Sequence, residues 1–424
     1  TTTDDSISQS GGTIEATIGG ISGQLSIQNT NFIKCISQQS YQSGAINLII
    51  KDQRIVSISQ TSFIQCESDQ GSGINAQILS GSVLTMQGTC TFIYCKARLD
   101  LGAALYSTIS GTDSKLIIVD EIQFEGYLKD LEGNKQIDLG QGRGAYIELL
   151  DNGIIEANEI LFNECKGVNG GGIQINSLSS QKQQIKRIQL TDCIGTGNGG
   201  GLYCIIGSGE IEMNEFTING CSGLNGGGIY TSIEQSGKFT INESCSISNC
   251  QSTSTGSGGG IYAIINSGQI EMNQVTMNEC SGLNGGGIYT QIDGTSKLTI
   301  KDSCSLTKCQ STSTGSGGGI YAIISSGQIE LNQVIMNECS GLNGGGIYTS
   351  IEQSGKLTIK DSSSFTKCQS SDGNGGGIYA IINSGQIEMN QVTMNECSGL
   401  NGGGIYTQID GTSKFTIKDS RYNF

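Results

Sequence analysis

The sequence predicts an all-β fold, a right-handed parallel β-helix of about 14 coils of about 30 residues with three strands per coil. Three observations predict it. A glycine-rich motif recurs at a nearly regular interval, apolar and polar residues alternate within each copy, and none of the 424 residues is proline. Because proline cannot donate a backbone hydrogen bond, its absence favours a long, uninterrupted ladder of strands.

The repeat is clearest in the second half of the chain. The motif Gly-Gly-Gly-Ile-Tyr, or a close variant, ends at eight tyrosines separated by alternating steps of 27 and 31 or 32 residues: Tyr203, Tyr230, Tyr262, Tyr289, Tyr321, Tyr348, Tyr379 and Tyr406. A short and a long unit together form a double repeat of 58 or 59 residues that starts near residue 199. Weaker copies ending at Gln174, Tyr146, Tyr106, Asn75, Asn47 and Glu15 bring the total to fourteen units.

These intervals predict the domain organisation. We expect one β-helix domain over residues 1–424, with divergent coils in 1–125, a loop insertion at 126–142 and regular coils in 143–424. The insertion follows from the step of 40 residues between Tyr106 and Tyr146, which exceeds the usual coil by about ten.

Within one copy the apolar period is two. Ile229, Thr231 and Ile233 alternate with Tyr230 and Ser232, which is the spacing of a strand with one inward face. A second strand of the type Lys-Phe-Thr-Ile and a third short apolar segment that ends in cysteine complete the coil. A single coil buries too little apolar surface to stand alone, so we expect the coils to stack.

Twelve of the sixteen cysteines recur at one place per coil, and we expect them to form an inward column of free thiols: Cys35, Cys66, Cys95, Cys165, Cys193, Cys221, Cys250, Cys280, Cys309, Cys339, Cys368 and Cys397. A single file of thiolates cannot surround a metal ion, and a coil spacing of about 4.8 Å exceeds the Cβ separation of a disulfide. The off-column Cys90, Cys204, Cys245 and Cys304 are the best candidates for a disulfide or a function.

The eight motif tyrosines are expected to form an exposed stripe. Because Ile229 and Thr231 point inward, Tyr230 between them must point outward. Two interpretations remain open at this stage. The rings could stack on one another and stabilise the coils, or they could offer a flat aromatic surface to another copy of the chain or to sugar rings.

Several classes of site are excluded or disfavoured. The chain has no histidine, which excludes Ser-His-Asp and Cys-His nucleophiles and histidine-ligated zinc, and we predict no catalytic residue, metal or cofactor. Glu212, Glu271, Glu330 and Glu388 are expected to form a solvated acidic face, being too far apart for one calcium ion. Asn242 begins a possible N-glycosylation sequon.

The charge balance also limits the partners. A net charge of −15 disfavours nucleic acid and anionic membranes, and the sequence has no run of 18 apolar residues that would span a bilayer. The partners that remain are other copies of the chain, head to tail or laterally, and glycans.

The glycine motif and the segment before each column cysteine carry a family resemblance. The elements Ser43 to Ile46 and Gly102 to Leu105, with segments such as Phe32-x-x-Cys35 and Phe63-x-x-Cys66, resemble the repeats of chlamydial polymorphic outer membrane proteins. The resemblance implies a right-handed β-helix of pectate-lyase-like architecture and an extracellular, often adhesive, role. Cysteine stands here where that family has asparagine.

The leading functional hypothesis is a structural protein, located outside the cell or on its surface. We expect a rigid rod that stacks end to end into a filament or coat, because residues 1–10 resemble the turn that would follow the last segment, residues 418–424. Alternatively, the sequence is part of a longer chain, and no stacking between subunits is needed. The alternative functional hypothesis is a polysaccharide-binding or polysaccharide-degrading protein. Arg143 near Asp138 is then the candidate for the active site, rather than Arg54, Arg98 or Arg187.

Overall fold

The computed structural model describes residues 7–8, 13–37, 43–98, 103–129, 135–136, 144–312 and 314–423. Within these ranges the chain forms strands and turns, with no helix. Three parallel sheets each hold fourteen strands in chain order, so each repeat contributes one strand to each sheet. The predicted all-β parallel solenoid with three strands per coil is confirmed.

Sheet 1 contains the strands that follow the glycine motif. They are Ile14–Ile18, Ile46–Ile50, Ile74–Leu79, Leu105–Ser110, Ala145–Leu150, Ile173–Ser177, Leu202–Ile206, Ile229–Ile233, Ile261–Ile265, Ile288–Ile292, Ile320–Ile324, Ile347–Ile351, Ile378–Ile382 and Ile405–Ile409.

Sheet 2 contains the second strand of each coil. Its strands are Leu25–Gln28, Ile55–Ser59, Val83–Gln87, Lys115–Ile118, Ile154–Ala157, Lys182–Lys186, Glu210–Asn214, Lys238–Asn242, Gln269–Asn273, Lys297–Lys301, Gln328–Asn332, Lys356–Lys360, Gln386–Asn390 and Lys414–Lys418.

Sheet 3 contains the segment that leads to the column cysteine. Its strands are Asn31–Ile33, Ser62–Ile64, Cys90–Ile93, Ile122–Glu125, Ile160–Asn163, Ile188–Thr191, Thr217–Asn219, Cys245–Ser248, Val275–Asn278, Ser305–Thr307, Ile335–Asn337, Ser364–Thr366, Thr393–Asn395 and Arg421–Asn423.

A fourth set of two-residue strands follows the column cysteines and was not foreseen from the sequence. One ladder joins Ile7–Ser8, Ile36–Ser37, Glu67–Ser68 and Lys96–Ala97. Another joins Lys166–Gly167, Ile194–Gly195, Ser222–Gly223, Gln251–Ser252, Ser281–Gly282, Gln310–Ser311, Ser340–Gly341 and Gln369–Ser370. These strands extend main-chain pairing into the turn between sheets 3 and 1.

The chain forms two compact units. The N-terminal unit contains residues 1–197, 201–204 and 209–211, and the C-terminal unit contains 198–200, 205–208 and 212–424. Each unit has the same register rule. In the N-terminal unit Ile14 pairs with Ile46, and in the C-terminal unit Tyr230 pairs with Tyr262. Equivalent residues of neighbouring coils therefore stack in columns, and any chemical regularity of the repeat becomes a regularity of a surface.

Inward columns of aliphatic and aromatic side chains make the core of each unit. Ile46, Ile78 and Phe63 in the N-terminal unit and Ile292 and Ile300 in the C-terminal unit are all fully buried. Because inward and outward residues alternate along every strand, the core is narrow and follows the stack of coils.

The glycine motif is required by the turn into sheet 1. Gly226 has a φ of 67°, a conformation that side chains with a Cβ rarely adopt. A Cβ on Gly227 would lie 2.5 Å from the backbone nitrogen of Gln251 in the next coil. The motif therefore specifies the close approach of successive coils rather than a phosphate-binding loop.

The predicted insertion is partly described. Leu128–Lys129 pairs in antiparallel fashion with Lys135–Gln136, while residues 130–134 and 137–143, including Asp138 and Arg143, lie outside the described residues. Residues 1–6, 9–12 and Phe424 also lie outside them, and with these the predicted complementarity of the two chain ends.

Candidate functional site

The cysteine column lies in the interior of each unit. All sixteen cysteines are buried free thiols. Cys95 Sγ donates to the carbonyl oxygen of Ile93 at 3.8 Å and to that of Phe63, in the preceding coil, at 3.3 Å. Cys339 Sγ repeats the arrangement with Asn337 at 3.7 Å and Leu306 at 3.3 Å. These thiols thus link their own turns to the coil before them.

This geometry explains the spacing of three residues in the Phe-x-x-Cys segments. Phe63 stands three residues before Cys66, and Leu306 three before Cys309. The apolar side chain enters the core, and its carbonyl oxygen accepts the thiol of the next coil. The residue immediately before the cysteine turns the chain, as Lys308 does with a φ of 52°. The segment is a structural corner.

Burial shields the thiols from reagents, and the hydrogen bonds between them raise the pKa of some while lowering that of others, such as Cys280 and Cys368. Cys339 lies between Cys309 and Cys368, and hydrogen bonding with these two thiols, together with burial, raises its pKa well above the usual range. Burial alone raises the pKa of Cys204. Since the thiolate is the nucleophile and the metal ligand, a buried thiol with a raised pKa is a poor candidate for either role.

Three of the off-column cysteines occupy a second corner, at or just before the start of sheet 3. Cys304 Sγ accepts the backbone N–H of Val275 at 3.2 Å and donates to the carbonyl oxygen of Met272 at 3.4 Å. Ser363 takes the same place later in the chain, where its Oγ accepts the N–H of Val334 at 3.1 Å. Cys90 and Cys245 are equivalent to Cys304, and burial raises the pKa of Cys245 to about 11. The fourth, Cys204, points into the core from sheet 1.

Five phenylalanines form a second internal ladder in the N-terminal unit, which the sequence reasoning did not identify. The rings of Phe32, Phe63, Phe92, Phe124 and Phe162 stack with centroids 4.7–5.2 Å apart and planes within 12°. The signal was present, because each phenylalanine stands at the same place in its coil.

The tyrosines of sheet 1 form a continuous stack in the C-terminal unit. From Tyr230 to Tyr406, neighbouring rings lie 4.5–5.4 Å apart with planes 6–13° from parallel. Tyr203, in the N-terminal unit, points outward in the same way, and Tyr106 stacks on Tyr146 there at 4.7 Å.

The expectation of an exposed tyrosine stripe requires a correction. All eight motif tyrosines are half-buried. The reason is that within the stack each ring face is covered by the ring of the next coil, which leaves the ring edge and the hydroxyl accessible. Burial, together with the charges of Tyr321 and Tyr379, raises the pKa of Tyr348 to about 12. The tyrosine stack therefore presents ring edges and hydroxyl groups to solvent, and not ring faces.

The outward face of sheet 2 carries an ordered array of ion pairs instead of the expected acidic face. Glu330 binds Lys360 Nζ at 2.8 Å in the next coil and Lys297 Nζ at 2.9 Å in the preceding one. Glu271 binds Lys301 at 2.9 Å and Lys238 at 3.4 Å. The N-terminal unit has pairs of its own, such as Lys115 with Glu156 at 2.9 Å.

The ion-pair array explains why the repeating unit of the sequence is two coils and not one. A coil with two outward lysines, as in Lys297–Lys301, alternates with a coil that has one outward glutamate, as in Gln328–Asn332. In a register that stacks equivalent residues, identical coils would place like charges opposite one another, which is destabilising. The pairing with Lys360 and Lys297 lowers the pKa of Glu330 to about 2. The prediction of a solvated acidic face was wrong because it considered the glutamates without the coils between them.

The possible glycosylation site is part of the same face. Asn242 is half-buried, and its Nδ2 donates to Glu212 Oε1 at 3.2 Å. Its Oδ1 accepts from Asn273 Nδ2. A glycan on Asn242 would have to replace the hydrogen bond to Glu212, so the position remains a prediction with a defined structural cost.

The arginines considered for a polysaccharide-degrading site hold turns of the N-terminal unit. Arg54 donates to the carbonyl oxygens of Asp52 at 2.9 Å and Ile21 at 2.8 Å. Arg98 pairs with Asp69 at 2.8 Å, and Arg187 donates to an asparagine amide oxygen at 2.6 Å. The three arginines lie in different turns and have different partners.

The described residues contain neither a metal-binding cluster nor a membrane-spanning helix. In the part of the chain that the structure describes, no group of three or more histidine, cysteine, aspartate or glutamate side chains could hold a metal ion. None of the described residues belongs to a helix long and apolar enough to cross a membrane.

Comparisons with known proteins do not add a family. No protein-family model, curated protein or solved structure matches the chain. The β-solenoid implied by the resemblance to polymorphic outer membrane proteins is present in the structure, whereas the relationship to that family stays a prediction.

Proposed function

We propose that this protein is a structural, non-enzymatic component of the cell exterior, in which stacked coils form a rigid element of a filament or surface coat with an adhesive role. The observation that carries the proposal is the periodicity of its outward faces. In the C-terminal unit the same columns of tyrosine, lysine and glutamate recur every double repeat. A surface that repeats in this way suits regular contacts with many copies of one partner.

Rigidity is supported by the bonding between coils. Main-chain ladders, thiol-to-carbonyl bonds and ion pairs each join one coil to the next. Location outside the cell is supported by the resemblance to polymorphic outer membrane proteins. Free thiols are compatible with an oxidising environment when they are buried, as all sixteen are here.

The proposal places end-to-end stacking at the last described coil. Its inward Ile409 and Ile417 are 46% and 44% exposed, whereas the equivalent Ile292 and Ile300 in an internal coil are fully buried. A further coil placed there, from the same chain or from a second copy, would cover them. We propose that a second copy can do so head to tail, a contact that propagates because it does not close.

Electron microscopy of the purified chain, with sedimentation velocity at several concentrations, tests this proposal. We expect unbranched filaments whose length grows with concentration. The variant Ile417→Asp should abolish growth, while Thr276→Asp, an exposed change on sheet 3, should not. Particles of one mass at every concentration, or hydrolysis of a panel of oligosaccharides by the purified chain, would contradict the proposal.

A further inference from the structure

The outward face of sheet 1 in the C-terminal unit carries no charge and is the aromatic one. Sheet 2 carries the lysine and glutamate array, and the outward residues of sheet 3 are mostly short polar side chains, such as Thr276 and Asn278. Its seven strands from Ile229–Ile233 to Ile405–Ile409 present the tyrosine stack and one further outward column. That column contains Ser232, Ile264, Gln291, Ile323, Ser350, Ile381 and Gln408. We call these two columns the tyrosine face. None of its side chains is ionisable near neutral pH, although the whole chain has a net charge of −15.

The rings of the tyrosine face are nearly parallel from coil to coil. Neighbouring ring planes differ by 6–13° over six consecutive pairs. Ladders of stacked side chains of this kind keep a sheet from twisting. A row of parallel rings can therefore meet an equivalent row of a partner over many coils.

From these observations we propose that the tyrosine face binds the tyrosine face of a second copy of this chain, side by side. The occupant is identified by charge and by spacing. Two molecules with a net charge of −15 repel one another, and this uncharged face lets them approach without burying an unpaired charge. A second copy also has outward residues at the same coil spacing of about 4.8 Å, so each row of one face can meet an equivalent row of the other.

The contact area is sufficient for a specific dimer. Seven strands span about 34 Å across the sheet and five residues span about 16 Å along a strand. The contact would bury about 550 Å² per copy, or about 1,100 Å² in total, which is just above the lower limit for a biological interface. A two-fold axis lying in the plane of the contact relates the copies, so the contact closes at two and does not propagate.

The ring geometry favours this partner over a polysaccharide. Sugar rings bind aromatic side chains by stacking on an exposed ring face. Between Tyr230 and Tyr406 the ring faces are covered by neighbouring tyrosines. The accessible groups are ring edges, hydroxyls and the methyl groups of Ile264, Ile323 and Ile381, which suit packing of one sheet against another.

The test is a comparison of two lysine substitutions by sedimentation equilibrium. Ile323→Lys places a charge in the tyrosine face, and Thr276→Lys places the same charge on sheet 3. Both changes reduce the net negative charge, so a general electrostatic effect would favour association in both. We expect a monomer–dimer equilibrium for the unmodified chain, a Kd at least tenfold weaker for Ile323→Lys and an unchanged Kd for Thr276→Lys. Circular dichroism and urea midpoints check that both variants fold.

The result of this dimerisation test is independent of the result for end-to-end stacking, because the two contacts use different surfaces of the protein. The measurements are made on the Ile417→Asp background, where filament growth is expected to be blocked, so that a lateral contact saturates at two copies. A chain that stays monomeric there up to about millimolar concentration, or equal dimerisation of both lysine variants, would overturn the lateral contact and leave the filament proposal standing. Binding of a soluble glucan that is lost in Ile323→Lys would overturn it in favour of a sugar ligand.

Discussion

The alternation of lysine and glutamate coils makes a quantitative prediction about Glu330. Its carboxylate lies 2.9 Å from Lys297 Nζ and 2.8 Å from Lys360 Nζ, each in a neighbouring coil. The variant Glu330→Lys would replace two attractive contacts with two repulsive ones between three successive lysines. It would leave the aliphatic core and the main-chain ladder unchanged.

The expected loss of unfolding free energy is about 3 kcal/mol, from two new repulsions and two lost ion pairs. Two like charges about 5 Å apart repel by about 0.8 kcal/mol in water and about 3 kcal/mol at an effective dielectric constant of 20. The side chains of Glu330, Lys297 and Lys360 are 26%, 39% and 34% exposed, which places each repulsion towards the lower value. Each lost ion pair adds about 0.5 kcal/mol at such exposure.

Urea unfolding at neutral pH measures the unfolding free energy that Glu330→Lys loses. Two comparisons establish that the loss is electrostatic. In 1 M salt, where the screening length is about 3 Å, most of the loss should disappear. The triple variant Glu330→Lys, Lys297→Glu, Lys360→Glu restores an alternating order and should recover at least half of the lost stability. Glu352→Lys, an exposed turn residue, is the matched charge control and should cost less than about 0.5 kcal/mol. A triple variant no more stable than Glu330→Lys would refute the reasoning.

Three further predictions concern other columns. The hydroxyl of Thr290 is buried and forms no hydrogen bond within the protein, so Thr290→Val should stabilise the fold by about 1 kcal/mol in urea unfolding; a loss of stability would mean that the hydroxyl has a partner. The pKa of Tyr348 is raised to about 12, which means that folding favours its neutral phenol. The stability contributed by this neutral side chain is complete below the ordinary tyrosine pKa of about 10 and is lost as the pH rises through 12. Phenolate absorbance should therefore increase together with the loss of circular dichroism, and ionisation of the folded protein at pH 10 would contradict this. All sixteen thiols are buried, so a maleimide should label none in the native protein and all sixteen after unfolding without reductant; labelling of fewer than about twelve would indicate disulfides.

The fold was predictable because the repeat fixes both the coil length and the register. Once Tyr230, Tyr262 and Tyr289 are recognised as equivalent, the alternation around them decides which side chains point inward. The buried cysteine column follows from the same alignment. The short strands after each cysteine were missed because two polar or small residues, as in Ser281–Gly282, carry no apolar period.

The electrostatic and aromatic properties of the faces were less predictable. Glu271 and Glu330 lie two coils apart. The coil between them supplies Lys301 to Glu271 and Lys297 to Glu330, and only the stacked structure brings these lysines within reach of the carboxylates. Likewise, the half-burial of Tyr348 depends on how closely the rings of the adjacent coils approach. Such properties arise between coils, and the sequence of one coil does not contain them.

The central claim is that each repeat is one coil stacked in register on the next, and distances between spin labels in the C-terminal unit test it directly. Labels attached through a non-cysteine side chain at Gln269 and Gln386, four coils apart in sheet 2, should lie about 19 Å apart at the backbone, and labels at Lys238 and Lys414, six coils apart, about 29 Å. An increase of about 4.8 Å per coil is the predicted result. Distances that do not increase with the number of intervening coils would contradict the account.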